Sequence, residues 1–135
     1  MGIQRHIAKN TPSRLPPGTC VLVIEDQPFI ALATADMVVA LGGEVSATVS
    51  TVEEALTAIA RDNFTLAMLD IDLAGRASDP VAAAIAAAGK PFLVTTGFIG
   101  RTIAGFEAAP MLHKPYLQNQ LARELMALLP ADTRV

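Results

Sequence analysis

The sequence of 135 residues has little cysteine and no long apolar segment. Its single thiol, Cys20, excludes an internal disulfide bond. No apolar run reaches the roughly 18 residues that a transmembrane helix needs, and no signal-peptide core follows the N-terminus. Charged residues make up only 17% and the net charge is -3, so no basic footprint for nucleic acid is present. These absences predict a cytoplasmic protein without membrane or nucleic-acid partners.

What the chain does contain is enough apolar material for one folded domain, since 52% of its residues are hydrophobic. Residues 1–18 show no periodicity and end in Pro16-Pro17-Gly18, which breaks regular structure. We therefore expect a flexible N-terminal tail over 1–18 and a single domain over 19–135.

From Cys20 onward, short apolar runs alternate with segments of helical spacing. The runs predict strands at 20–24, 44–49, 64–69, 92–94 and 109–113. Between them, helices are predicted from Pro28 to Gly42, from Asp79 to Gly89, near 103–108, and from Leu117 to Pro130. A further helix is predicted after the second strand, where Ser50 and Glu53 form a capping-box pattern and Val52, Leu56 and Ile59 form an apolar face. This (βα)₅ order favours a doubly wound, parallel five-stranded sheet in three layers, with helices on both faces.

Polar residues gather where these strands end. Right-handed crossovers bring all parallel strand ends to one edge of the sheet, which is where such folds carry their sites. The residues that follow the first, third, fourth and fifth strands are Glu25 and Asp26, then Asp70 and Asp72, then Thr95, Thr96 and Gly97, then His113, Lys114 and Pro115. Four acids, two hydroxyls and one ammonium are therefore expected at one edge of the sheet.

This group of residues suits phosphoryl transfer. Carboxylates about 4 Å apart repel by about 4 kcal/mol per pair at an effective dielectric constant near 20, so a cation or a proton must lie among them. Oxygen ligands at a strand edge favour Mg²⁺. A carboxylate can attack phosphorus to form an acyl phosphate, while the cation and an ammonium offset charge. A hydroxyl that binds the phosphoryl group can then change the conformation.

Four segments, each at a strand end, resemble the receiver domains of response regulators. They are Val21–Asp26, Met68–Leu73, Val94–Gly97 and His113–Tyr116. The resemblance covers roughly residues 20–130 and implies the flavodoxin-like, CheY-like version of the predicted fold.

The resemblance implies how the acids are used. Asp70 matches the phosphoacceptor and Asp26 a direct ligand of Mg²⁺ or Mn²⁺. Glu25 matches the neighbouring acid that acts on the metal through water. Asp72 matches the residue whose backbone carbonyl, not its side chain, completes the metal shell.

It also implies the parts of a switch. Thr96 matches the switch hydroxyl because it precedes a small residue, Gly97, and Lys114 matches the phosphate-binding lysine, whose bond to Pro115 is usually cis. One position departs from the family: Met111 stands where many receivers carry an aromatic switch residue, which argues against an aromatic readout.

The resemblance further implies a signalling protein, not an enzyme. A histidine kinase or a histidine phosphotransfer protein donates the phosphoryl group, and the receiver then acts on a downstream protein or serves as a phosphate sink in a bacterial two-component phosphorelay. The segment Thr96-Gly97-Phe98 partly matches a Phe-Ala-Thr-Gly-type motif that is typical of a stand-alone subgroup of receivers. In this sequence, Val94 and Thr95 stand in place of the first two residues of that motif. That subgroup is paired with kinases of the HWE type.

Two other functions remain open at this point. A haloacid-dehalogenase-type phosphatase also forms an aspartyl phosphate, and Asp70 with Asp72 would serve as its nucleophile and acid. Its usual later acidic pair is missing, since only Glu124 and Asp132 follow Lys114. The other alternative is a receiver fold that binds partners without phosphate.

Overall fold

The computed structural model describes residues 14–98 and 100–130. In chain order its elements are β1 (Cys20–Ile24), α1 (Pro28–Ala40), β2 (Glu44–Val49), α2 (Val52–Arg61), β3 (Leu66–Asp70), β4 (Asp72–Leu73), β5 (Arg76–Ala77), α3 (Asp79–Ala87), β6 (Phe92–Thr96), β7 (Met111–His113) and α4 (Gln118–Leu128). Five parallel strands form one sheet in the order β2-β1-β3-β6-β7, and β4 pairs with β5 in a separate hairpin. The predicted fold class is confirmed.

The sheet is buried on both faces because alternate residues of its central strands enter different cores. In β1, Leu22 and Ile24 pack in a cluster with residues of α2 and α3. Val21 and Val23 pack in the opposite cluster with residues of α1 and α4. This alternation produces the three layers that the continuous apolar runs predict.

The packed part of the chain begins before the predicted domain boundary. Residues 1–13 of the predicted tail lie outside the described residues. Leu15, however, is only 4% exposed, and its backbone N–H donates to the carbonyl of Leu41 at 2.6 Å. Pro16 and Pro17 break regular structure without preventing the residue before them from entering the core.

Replacing Leu15 by alanine should therefore lower the free energy of unfolding by about 2–4 kcal/mol, the usual cost of truncating a buried leucine. Leu56→Ala is the matched control, because Leu56 is 39% exposed and should lose less than about 1 kcal/mol. Urea unfolding measures both values. Equal losses in the two variants would show that residues 14–18 add nothing to the core.

The start of α2 differs by one residue from the predicted capping box. Thr51, not Ser50, is the N-cap, and its Oγ1 accepts a hydrogen bond from the backbone N–H of Glu54 at 3.1 Å. The Glu54 carboxylate in turn accepts from the backbone N–H of Ser50 at 2.9 Å. Val52 and Ile59 are buried, whereas Leu56 is 39% exposed, so the predicted apolar face was wrong for Leu56.

The helix predicted near 103–108 is wrong. No helix forms among the residues that the structure describes between Thr96 and Met111. Gly100 and Gly105 have φ angles of +84° and +86°, which a right-handed helix excludes. Ile103 is nevertheless buried at 1% exposure, and the backbone N–H groups of Phe106 and Ala109 donate to the carbonyls of Ile103 and Phe106, so apolar packing and isolated turns hold this segment.

Within the described residues, no helix is both long and apolar enough to cross a membrane.

Candidate functional site

The strand registers place the polar strand ends side by side. Residue 24 of β1 pairs with residue 69 of β3, and Asp70 pairs with Thr95 of β6. Thr96 pairs with His113 of β7. The residues that follow these positions therefore share one edge of the sheet, as the crossover argument predicts.

Three carboxyl groups meet at this edge. Ligand oxygens of Glu25, Asp26 and Asp70 all lie within 4.8 Å of one another. Glu25 and Asp70 are each 4% exposed, and Asp26 is half-buried. Neighbouring oxygens around an octahedral Mg²⁺ lie about 3 Å apart, so the spacing of these acids is on the scale of a magnesium site.

Lys114 is the cation of the site. Its Nζ lies 2.6 Å from Oε1 of Glu25 and donates to Oδ2 of Asp70 at 3.0 Å. With every group ionised, three carboxylates and one ammonium leave a charge near -2, which a divalent cation would neutralise. The donor types and the charge of the site therefore both fit Mg²⁺ or Mn²⁺.

Burial and neighbouring charges shift the pKa values of these groups in opposite directions. Burial raises the pKa of Glu25 to about 7, although its contact with Lys114 opposes the rise. Burial alone would lower the pKa of Lys114, but hydrogen bonds to Glu25 and Asp70 outweigh it and raise that pKa overall. Lys114 therefore stays charged at neutral pH, while Glu25 can hold a proton when no metal is present.

A feature that the sequence analysis missed, the β4–β5 hairpin, closes over Asp26. Ala74 and Gly75 form its two-residue turn with φ angles of +51° and +80°, which is typical of a type I′ turn. The backbone N–H of Ala74 donates to Oδ2 of Asp26 at 2.9 Å. Burial raises the pKa of Asp26, but this bond and those to its acidic neighbours lower it overall. The only sequence signal was the residue pair Ala74-Gly75.

The same hairpin orients the backbone of Asp72. Its N–H donates to Oδ1 of Asp70 at 3.2 Å. In a two-residue hairpin the closing hydrogen-bonded pair is Leu73 with Arg76, so the next residue outward has its N–H and C=O facing away from its partner strand. The bond to Asp70 places the Asp72 backbone beside the Asp70 carboxylate, and the metal role of the Asp72 carbonyl stays a prediction.

Thr96 is fully buried, and its hydroxyl is bonded within its own turn. Its Oγ1 accepts from the backbone N–H of Phe98 at 3.0 Å and donates to the Phe98 carbonyl at 3.2 Å. The backbone N–H of Lys114 donates to the carbonyl of Thr96 at 2.8 Å, so β7 holds the two residues together. Thr95, the neighbouring hydroxyl, is buried as well.

Three further residues, Met111, His113 and Pro115, lie in or just after β7. The Lys114–Pro115 bond is cis, as the resemblance implies. His113 is exposed, and Met111 is half-buried against the core cluster that includes α2 and α3.

Comparisons with known proteins agree with this arrangement. No protein-family profile and no curated relative matches the sequence. Among solved structures, SdrG from Sphingomonas melonis Fr1 is 36% identical with a TM-score of 0.75, over 83% of this chain and 97% of that chain. The receiver domain of the PhyR response regulator from Erythrobacter litoralis is 25% identical with a TM-score of 0.71, over 82% and 88%.

A third similar structure is the signal receiver domain of a modulated diguanylate cyclase from Desulfovibrio desulfuricans G20. It is 26% identical with a TM-score of 0.71, over 84% of this chain and 93% of that chain. The sheet order, the acids and lysine at its carboxyl edge, and an identity above one third to SdrG lead to one assignment. The chain belongs to the response-regulator receiver family.

Proposed function

We propose that this protein is a phosphorylation-controlled signalling switch that accepts a phosphoryl group on Asp70 and needs Mg²⁺ or Mn²⁺ to do so. One observation carries the proposal. The nearly buried Asp70 carboxylate is contacted by the Lys114 ammonium and lies beside two further acids, Glu25 and Asp26. A structural ion pair needs one carboxylate for one lysine, whereas this site holds three.

The metal would be held by Asp26, Asp70 and the backbone carbonyl of Asp72, with Glu25 acting through a water molecule. A divalent cation bound there supplies positive charge beside the oxygens of the transferring group. Without it, the site would hold excess negative charge and repel an incoming phosphate.

The transfer itself needs Asp70 as nucleophile. A carboxylate oxygen of Asp70 attacks the phosphorus of a phosphohistidine, and a P–O bond forms as the P–N bond breaks. The electron pair of the P–N bond leaves on the imidazole nitrogen, which then takes a proton. The Lys114 ammonium, already 3.0 Å from Oδ2, is placed to bind a phosphoryl oxygen.

The switch would be the exchange of hydrogen bonds at Thr96. Its hydroxyl is bonded to the Phe98 backbone and would have to leave that position to reach a phosphoryl oxygen. Gly97 and Phe98 form this turn with Thr96, so the exchange would change its conformation. With Met111 in the usual aromatic position, this turn is the proposed readout.

The donor would be a histidine kinase, of the HWE type that the partial Thr96-Gly97-Phe98 match favours, or a histidine phosphotransfer protein. The match to SdrG spans 97% of its solved chain and supports the receiver part of this proposal. The signal would pass to a downstream protein. The phosphatase alternative loses its support, since the chain belongs to the receiver family.

The test is treatment of the purified protein with acetyl phosphate and Mg²⁺, followed by intact-mass spectrometry. We expect one added phosphoryl group that is stable in acid and removed by hydroxylamine. Turnover of a general phosphomonoester would instead support the phosphatase. No gain of mass and no turnover would support a phosphate-independent interaction domain.

A protein donor must also dock close to Asp70, and α1 offers an apolar surface there. The helix starts two residues after Asp26, and Phe29 and Leu32 are 87% and 61% exposed. These two residues lie three apart and therefore share one face of the helix. A clustered apolar surface of this kind is typical of a protein contact.

Replacing Phe29 and Leu32 together by alanine should slow phosphoryl transfer from the partner kinase by roughly 10-fold or more, because buried aromatic anchors dominate such contacts. Uptake from acetyl phosphate should not change, since it needs no docking. Leu56→Ala, on a helix of the opposite face, is the control for both assays. The docking surface is wrong if the double variant accepts phosphate from the kinase at the wild-type rate.

A further inference from the structure

A buried hydroxyl pair joins α1 to the segment that follows Lys114. Oγ1 of Thr34 and the phenol oxygen of Tyr116 lie 2.5 Å apart, although the residues are 82 positions apart in the sequence. Thr34 is 2% exposed and Tyr116 is 9% exposed. Burial raises the pKa of Tyr116, so the phenol keeps its proton at neutral pH and the pair is a neutral hydrogen bond.

Packing alone does not account for this pair. Thr34 lies in the middle of α1, where a β-branched residue is only a moderate helix former and a buried hydroxyl is costly unless it is bonded. Valine and phenylalanine would fill nearly the same volume without any polar group. The two hydroxyls therefore add something that shape does not, namely a fixed direction and distance between two elements.

The two elements that they join both adjoin the site. Tyr116 follows Lys114 by two residues, and Thr34 belongs to the helix that begins directly after Glu25 and Asp26. On its other side, Lys114 is held by the hydrogen bond from its backbone N–H to the Thr96 carbonyl. The segment that carries the ammonium is thus anchored to β6 before the lysine and to α1 after it.

We propose that Thr34 and Tyr116 are positioning residues whose hydroxyl pair holds the 114–116 segment against α1, so that the Lys114 ammonium stays on the Asp70 carboxylate. The kinetic part of this inference rests on the proposed phosphoryl transfer. The geometric part concerns the metal-free protein and can be measured without any phosphorylation.

The geometric test is the side-chain ammonium signal of Lys114 in an NMR spectrum of the metal-free, ¹⁵N-labelled protein. Held between the carboxyl groups of Glu25 and Asp70, this ammonium should exchange slowly with water and give a resolved signal. Tyr116→Phe and Thr34→Val, which remove only a hydroxyl, should broaden or lose the signal. Thr34→Ser, which restores the hydroxyl, should keep it, and a purely structural role would not produce that rescue.

Thr65→Val is the matched control. At the opposite end of the sheet the Thr65 hydroxyl donates to the Cys20 carbonyl at 3.0 Å and accepts from the Cys20 backbone N–H at 2.8 Å, so its loss also removes hydroxyl bonds between distant segments. All spectra are recorded well below the lowest unfolding midpoint. If Thr65→Val loses the Lys114 signal as well, general loosening explains the result and the inference is overturned.

The kinetic test is phosphoryl uptake from acetyl phosphate at saturating Mg²⁺. Tyr116→Phe and Thr34→Val should each slow uptake by about 3- to 10-fold, the rate equivalent of one neutral hydrogen bond. The double variant should be no slower than the slower single variant, because both remove the same bond. The Mg²⁺ concentration at half-maximal rate should not rise, since the metal ligands are untouched and a displaced ammonium competes less with the metal.

The outcomes separate the two proposals. Folded Tyr116→Phe and Thr34→Val proteins that keep both the Lys114 signal and the wild-type rate overturn the positioning role. A wild-type protein that takes up no phosphate, while the NMR signal still distinguishes the variants as expected, refutes the proposed function and leaves the positioning of Lys114 standing.

Discussion

With Asp70 replaced by asparagine, we expect phosphoryl uptake from acetyl phosphate to fall by at least about 1,000-fold, to the background of the assay. The amide has no anionic oxygen to attack phosphorus, and no other acid of the site stands in for it. Glu25 is paired with Lys114 at 2.6 Å and Asp26 is capped by the hairpin. Intact-mass spectrometry over a time course measures the loss.

Asp72→Asn is the matched control for this result. It removes a negative charge two residues away, but it keeps the backbone carbonyl to which we assign the metal role. We expect this variant to keep at least about half of the wild-type rate, since a backbone ligand does not depend on its side chain. Unchanged uptake in Asp70→Asn, or complete loss in Asp72→Asn, would contradict the assignment of the phosphoacceptor.

The Asp70→Asn variant should stay folded, so that its loss of phosphoryl uptake reports on chemistry and not on unfolding. The charges of the site predict this. Removing one of three clustered carboxylates lowers their mutual repulsion, and an asparagine oxygen can still accept from Lys114. The thermal midpoint of the metal-free variant should therefore equal or exceed that of the wild type.

The location of the site could be predicted from sequence because it depends on topology more than on side-chain detail. Once the apolar runs are assigned to parallel strands, the chain direction alone places Glu25, Asp26, Asp70 and Lys114 at one edge. The fold follows from the same runs, since strands buried on both faces leave little choice but helices on each side.

Contacts between distant segments could not be predicted in this way. The bond from Ala74 to Asp26 spans 48 residues, and that between Thr34 and Tyr116 spans 82. Neither leaves a periodic pattern, and Thr34 alone resembles an ordinary helix residue. The two-residue β-strands of the hairpin are likewise too short for alternation to reveal them.

The segment before β7 shows a related limit. Ile103 and Phe106 suggest one turn of an amphipathic helix, yet Phe106 instead packs edge-on against Phe92 with ring centroids 5.6 Å apart. Two glycines at positive φ end each turn before a helix can form. Tertiary packing therefore overrides a weak helical pattern at this position.

Substitution of Lys114 should have the second largest effect on the protein, because it removes a positive charge from the site. Replacing it by methionine keeps the length of the side chain but leaves Glu25 and Asp70, each 4% exposed, without their cation. Breaking a buried pair costs up to about 3–5 kcal/mol. Protonation of Glu25 relieves part of this, because Lys114 is what opposes the rise of its pKa. We expect metal-free Lys114→Met to lose about 1–3 kcal/mol of unfolding free energy.

Metal binding and phosphorylation should then change in opposite directions. Without the ammonium, the acids attract a divalent cation more strongly, so Mg²⁺ should raise the thermal midpoint of Lys114→Met more than that of the wild type. Phosphoryl uptake should nevertheless fall by about 10-fold or more, since the charge that binds the phosphoryl oxygen is gone. Lys114→Arg, which keeps the charge, should lie between the two proteins in both measurements. If Lys114→Met bound Mg²⁺ more tightly and also took up phosphate at the wild-type rate, the lysine would be a structural counterion only and would have no part in the transfer.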